Sequence, residues 1–156
     1  MNSSKLHNLS GTFRFRVELD GLIVGGFSEV SGLQAETTLF EYQEGGVNHY
    51  IHQLPKQTKF PRIILKRGLT HSSELWEWYE GVVAGKVKRK NGAIIMNSRS
   101  NWEVCRWNFF DAYPVKWVGP HLNANGNEVA IETIELVHNG LKTKHNKAWK
   151  LLGKLE

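Results

Sequence analysis

The chain has 156 residues, a formal net charge of +5, 40% hydrophobic residues and a single cysteine, Cys105. That length suits one domain burying roughly 70% of its unfolded surface without help from a metal, and one cysteine excludes an internal disulfide. Five lysines against one glutamate lie in residues 139–156, which leaves 15 basic and 14 acidic groups elsewhere, so the near-neutral body argues against a nucleic-acid groove across it.

No apolar run approaches the ~18 residues of a membrane span. Met1 to Ser10 lacks the apolar core of a signal peptide. The expectation is a protein made in the cytoplasm, or released without such a leader.

From Thr12 to Leu19, Phe13, Phe15, Val17 and Leu19 alternate with polar residues, the period of a half-buried strand. Asp20-Gly21 is a strong type I′ hairpin signal. The partner strand, Leu22 to Val30, is interrupted by Gly25-Gly26, which suggests a bulge. Ser31-Gly32 turns the chain, and Gln34 to Tyr42 forms a third strand. Residues 43–61 make a connection too long for an ordinary turn. Its glycines, Gly45 and Gly46, with Asn48 and Pro55, shape it, while Tyr50, Ile51 and Leu54 give it apolar contacts. An extended loop or hairpin arm follows.

Ile63 to Leu65 is a short buried strand closed by Gly68. A helix is then predicted over 73–84. Thr70, Ser72 and Ser73 are candidate N-caps, and Glu74 and Glu77 stand in the first turn. Leu75, Tyr79, Val82 and Val83 share a face, and Gly85 suits the left-handed position after the last turn. Trp76 and Trp78 lie about 200° apart on the helix, so both are not easily buried within one subunit. The exposed one marks an interface.

Lys86 to Lys90 is a basic run, most simply a solvated loop. Strands Ala93–Asn97 and Trp102–Phe110 follow, the second with bulky groups on both faces, which places Trp102 and Trp107 in the core. Pro114 and Pro120 bracket a short strand, Val115–Val118. The last strand, Glu128–His138, loses its alternation near Glu132-Thr133, which suggests a bulge. The fold class is mainly β: an antiparallel two-sheet sandwich or barrel of about eight strands with one flanking α-helix.

The domain spans 12–140, after an N-terminal segment 1–11 and before a basic C-terminal tail, 141–156. In that tail Ala148, Leu151, Leu152 and Leu155 fall on one helical stripe beside Trp149, a helix marginal by itself.

Catalytic chemistry has little support. His49 and His52 point to opposite sides of an extended chain and have no third ligand nearby. Cys105 within an aromatic strand is a buried, inert thiol. No nucleophile elbow or P-loop is present. The expectation is no catalytic, metal-binding or cofactor-binding residue, no cofactor, and a protein that is not an enzyme.

Several motifs in order carry a resemblance. They are Phe13-Arg14-Phe15-Arg16-Val17, Gly25-Gly26-Phe27-Ser28-Glu29-Val30-Ser31-Gly32-Leu33, Glu41-Tyr42-Gln43-Glu44-Gly45-Gly46, Leu54-Pro55-Lys56 and Leu65-Lys66-Arg67-Gly68. Trp107-Asn108-Phe109, Ala112-Tyr113-Pro114-Val115-Lys116-Trp117 and Glu132 to His138 complete them. Together, over about residues 12–140, the chain resembles the tail-tube proteins of contractile-tailed phages and phage-like contractile injection systems, similar in fold to the ring protein of type VI secretion.

The resemblance implies a structural subunit whose hexameric rings stack into a hollow tube inside a contractile sheath. Its partners would be further copies of itself, the sheath, baseplate and spike proteins, and cargo or DNA in the lumen. It would assemble in the bacterial cytoplasm and end in a virion tail or a released extracellular injection particle. The arm residues Gly45, Gly46, Asn48, Tyr50, Ile51, Leu54 and Pro55 would form a subunit interface. Trp149, Leu151, Leu152 and Leu155 would form a docking tail. Because residues 141–156 lie beyond the family core, an alternative is the initiator ring joining tube to spike and baseplate. A further alternative is a nucleic-acid-binding β-barrel using Lys86 to Lys90 and exposed aromatics.

Overall fold

The computed structural model describes residues 14–146. Its elements are β1 (Arg14–Leu19), β2 (Leu22–Val24), β3 (Phe27–Ser31), β4 (Glu36–Tyr42), β5 (His52–Lys59), β6 (Ile63–Gly68), α1 (Glu74–Val83), β7 (Lys90–Asn97), β8 (Glu103–Val118), β9 (Ile131–Val137) and β10 (Gly140–His145). All strand pairings are antiparallel.

The long strand β8 organises the body. Its first half pairs with β7 on one side and β10 on the other, and its second half pairs with β9. One layer therefore runs β2-β1-β7-β8-β10 and the other β8-β9-β6-β3. The strand changes layer at Asp111, whose φ is +51°, and its register with β9 shifts between Pro114 and Lys116. The proline that divides two strands in the sequence thus sits within one strand of 16 residues. A proline is tolerated at such an irregularity because the missing N–H falls where the ladder is already broken. β2 and β3, at the two ends of the strand path, do not pair. The body is a sandwich, not a closed barrel.

Alternation then builds the core. Val17, Ile94 and Phe109 from one layer meet Ile63, Leu65, Ile134 and Leu136 from the other. The β1–β2 turn is type I′ in character, with Asp20 at φ +49° and Gly21 at +79°, as the Asp-Gly pair requires. The expected bulge at Gly25-Gly26 is a larger event. Leu22 to Val30 splits into β2 and β3, which join different layers, and Gly26 has φ +85°.

The loss of alternation near Glu132 has a different cause from the bulge expected there. β9 pairs with β6 in unbroken register from Ile63↔Leu136 to Gly68↔Ile131. Glu132 simply points inward, on the same face as Ile134 and Leu136. It forms a buried ion pair with Arg67 and accepts a hydrogen bond from Trp117 Nε1 at 3.1 Å. Arg67 also donates to the Ser72 carbonyl at 3.1 Å and lies over the Phe27 ring. A buried charge needs such full partnering, and this one ties the segment before α1 to the sheet.

α1 packs against β8. Ser73 occupies the N-cap position without a side-chain cap; its hydroxyl bonds Glu77 instead. Gly85 takes φ +80° past the last turn, where the Lys86 N–H donates to the Gly81 carbonyl at 2.8 Å. The buried face is rotated from the one predicted: Leu75 and Trp78 enter the core, while Val83 is exposed. Trp78 Nε1 donates to the Lys88 carbonyl at 2.7 Å, which satisfies the indole N–H in its buried position.

Candidate assembly interface

Two kinds of surface lack partners among the described residues. The first is the arm. The sequence assigns it to residues 43–61, with Gln34–Tyr42 a strand of the body. Among the described residues β4 and β5 pair only with each other, as a separate two-stranded sheet. The third predicted strand therefore belongs to the arm, which runs from Glu36 to Lys59. Its uneven pattern, with Leu39, Phe40 and Tyr42 not alternating, was the available sign of a strand with no core to face.

Leu39, Phe40, Tyr42, Tyr50, Ile51 and Leu54 are all exposed. Gly45 and Gly46 form the turn at the tip, with Gly46 at φ +96° and the Val47 N–H donating to the Glu44 carbonyl at 3.2 Å. Asn48 follows, exposed, and Pro55 faces Leu39 across the hairpin. His52 bonds Glu44 at 3.2 Å and meets the Tyr50 ring edge-on at 5.0 Å. These contacts brace the tip. An isolated two-stranded hairpin is marginally stable in water, so an apolar partner would stabilise it.

The second surface is strand edge. β2, β3 and β10 each pair on one side only among the described residues, leaving rows of N–H and C=O groups that a neighbouring strand can use. β10 also corrects the tail boundary. The chain does not leave the body near His138: Leu141 to His145 pair with Phe109 to Cys105, and Leu141 packs on the core. Trp149, Leu151, Leu152 and Leu155 lie outside the described residues.

Several charged groups of the body form ion pairs. Arg106 holds Glu103 at 3.0 Å and Glu18 at 3.3 Å, and its hydrogen bond lowers the Glu103 pKa below its ordinary value. Arg62 and Lys116 hold Glu135 at 3.0 and 3.1 Å and lower its pKa in the same way. Burial pushes the Cys105 thiol up. Among the described residues no three His, Cys, Asp or Glu side chains gather as a metal site, and no helix is long and apolar enough to cross a membrane.

The tryptophans divide differently from expectation. Trp102 is 62% exposed, because it lies in the turn ahead of β8 and not in the strand. Trp107 is half-buried against the core. Trp76 is exposed and packs edge-on to Trp117, 4.7 Å between ring centroids.

A family model described as "T4-like virus tail tube protein gp19" matches residues 11–142. No curated protein matches the chain in sequence. Among solved structures, a chain of the anti-feeding prophage cap, a tube terminating cap, is 26% identical, with a TM-score of 0.79 over 86% of this chain and 90% of that one. A chain of the sheath–tube complex of an extracellular contractile injection system, in its extended state, is 23% identical, also with a TM-score of 0.79, over 94% and 99%. Hcp1 from Flavobacterium johnsoniae is 21% identical, with a TM-score of 0.57 over 85% and 95%. These last two likenesses concern the fold alone.

Proposed function

Because the chain belongs to the T4-like virus tail tube protein family, a family of structural subunits and not enzymes, we propose that its copies close into hexameric rings and stack into a hollow conduit. The observation that carries this is the arm: a hairpin standing apart from the body, with its apolar side chains exposed. Burying one exposed Leu or Ile there contributes roughly 2 kcal/mol before ordering costs. Rings would close through the single-sided strands β2, β3 or β10, since edge pairing uses groups that a lone subunit leaves to water. The arm, including Gly45, Gly46, Asn48, Tyr50, Ile51, Leu54 and Pro55, would reach a subunit of the same or the next ring.

The sheath would surround this tube and baseplate or spike proteins would hold its end, with cargo or DNA in the lumen. Assembly would take place in the bacterial cytoplasm, before release in a virion tail or an extracellular injection particle. The basic residues beyond the family match favour a second proposal, the initiator ring joining the tube to the spike and baseplate.

Light scattering and negative-stain microscopy of the purified protein test the main proposal. The expected outcome is a hexamer, or a concentration-dependent shift toward one, and rings or tubes in the images. A strict monomer at high concentration, with no polymer on sheath or baseplate templates, would count against it.

A further inference from the structure

A groove of about 770 Å³ lies between α1 and the β1–β2 hairpin. Its apolar walls are Leu22, Ile23 and Val24 on one side and Leu75 and Trp78 on the other; Lys86, Lys88 and Lys90 form its rim. Leu22 is 74% exposed and Ile23 60%, so the apolar wall faces solvent. β2 also pairs on one side only among the described residues. We propose that this groove is the socket for the β4–β5 arm of a second copy of the chain, an inference that rests on the assembly role proposed for the arm above.

Three observations select that occupant. The first is chemical. Tyr50, Ile51 and Leu54 on the arm and Leu22 and Ile23 in the groove are exposed apolar side chains of one molecule, each set lacking a cover of the kind the other supplies.

The second is charge. Residues 41–54, the outer part of the arm, hold Glu41 and Glu44 and no lysine or arginine. Residues 86–90 hold four cations and no carboxylate. Opposite patches of this kind set register and suppress wrong partners. Glu74 and Glu77 also line the groove, on the helix side, so an acidic segment is directed toward the lysine rim and away from α1.

The third is placement. β3 and β6 run antiparallel, with Ser31 opposite Ile64 and Phe27 opposite Arg67. The arm leaves this pair at the Ser31–Ile63 end, and α1 with its groove follows from the Gly68 end. Donor and acceptor stand at opposite ends of a strand pair about 20 Å long. A contact between two different surfaces of the same chain is head-to-tail, joining successive copies into a ring where it closes and into an open stack where it does not. The groove thus assigns the arm's contact to a successive copy.

Cross-linking tests the assignment. Two proteins are prepared, one carrying Ile23→Cys and the other Ile51→Cys, both at exposed positions that leave the core unchanged. Native Cys105 stays, since it is buried, and the parent protein is the control. Mixed under assembly conditions and oxidised, they should give a disulfide-linked heterodimer as the main cross-linked species. That product should be lost when Glu41 and Glu44 are both changed to Lys, and regained when Lys86 and Lys88 on the partner become Glu.

Stacked assemblies in which the thiols introduced by Ile23→Cys and Ile51→Cys never pair would overturn the groove and leave the arm's role intact. Pairing of the Ile23→Cys protein with a Leu151→Cys protein instead would give the groove to the C-terminal segment and overturn the proposal likewise. Absence of any stacked assembly would defeat the assembly role itself, and this inference with it.

Discussion

Gly32 stands where the chain leaves β3 for the arm. Its φ is +85°, and a Cβ there would lie 1.9 Å from the Arg62 carbonyl oxygen. Gly21 has φ +79° with nothing within 4 Å. The two positions share the backbone strain but not the collision, so they separate the effects. Gly21→Ala should cost about 1 kcal/mol from conformation alone. Gly32→Ala should cost about 2–6 kcal/mol, adding overpacking against backbone that cannot move aside. Denaturant titration of both variants measures this, and equal costs would show that Arg62 yields.

Glu135 carries a pH dependence. Its pKa is lowered from 4.5 by hydrogen bonds from Arg62 and Lys116. A carboxyl with a depressed folded pKa stabilises fully above its unfolded value and loses that contribution as pH falls through the folded one. Glu135→Gln should therefore lower stability near neutral pH, by at most about 1 kcal/mol because both cations are largely exposed. The difference from the parent should shrink below pH 4.5. Thermal melts across that range would show it, and a constant difference would exclude the linkage.

At the scale of elements, the arm and the body are separable. Among the described residues β4 and β5 pair only with each other, and no arm residue belongs to the hydrophobic core. Deleting residues 47–54, with a short glycine linker, should leave the circular dichroism and cooperative unfolding of the body in place and abolish stacking in electron micrographs. Loss of cooperative unfolding would mean that the arm supports the core. α1 behaves oppositely: Leu75 and Trp78 lie in the core, and the Arg67–Glu132 pair anchors the segment ahead of it. Their removal would harm folding before assembly.

At the scale of the molecule, β10 changes where the chain can be cut. Truncation after Gly140 would remove a strand paired to β8 from Leu141 to His145 and expose that edge, so it should destabilise the fold. Truncation after Asn146 keeps β10 and removes Trp149, Leu151, Leu152 and Leu155. It should leave the melting temperature nearly unchanged while removing attachment to a baseplate or neighbouring ring, read by co-sedimentation. Complete, functional particles from the shorter chain would make those residues a solvated end and weaken the case for an initiator ring.

Local chemistry was legible in the residues themselves. The Asp20-Gly21 turn, the alternation of β1, the helix from Glu74 with Gly85 behind it, and the mainly β class all rest on interactions within a few residues. For that reason they can be read along the chain, and the ordered motifs added the family. Long-range geometry was not legible in this way. Whether Gln34–Tyr42 joins the body or the arm depends on whether an apolar surface waits opposite it, and among the described residues none does. Whether Glu132 marks a bulge or an inward carboxylate depends on Arg67, 65 residues away. β10 looked like tail because Lys142 and Lys144 suit solvent, yet it is held by the free edge of β8, which exists only once the sheet has formed. Period and turn residues specify a strand; only the folded sheet supplies the partner that decides where it goes.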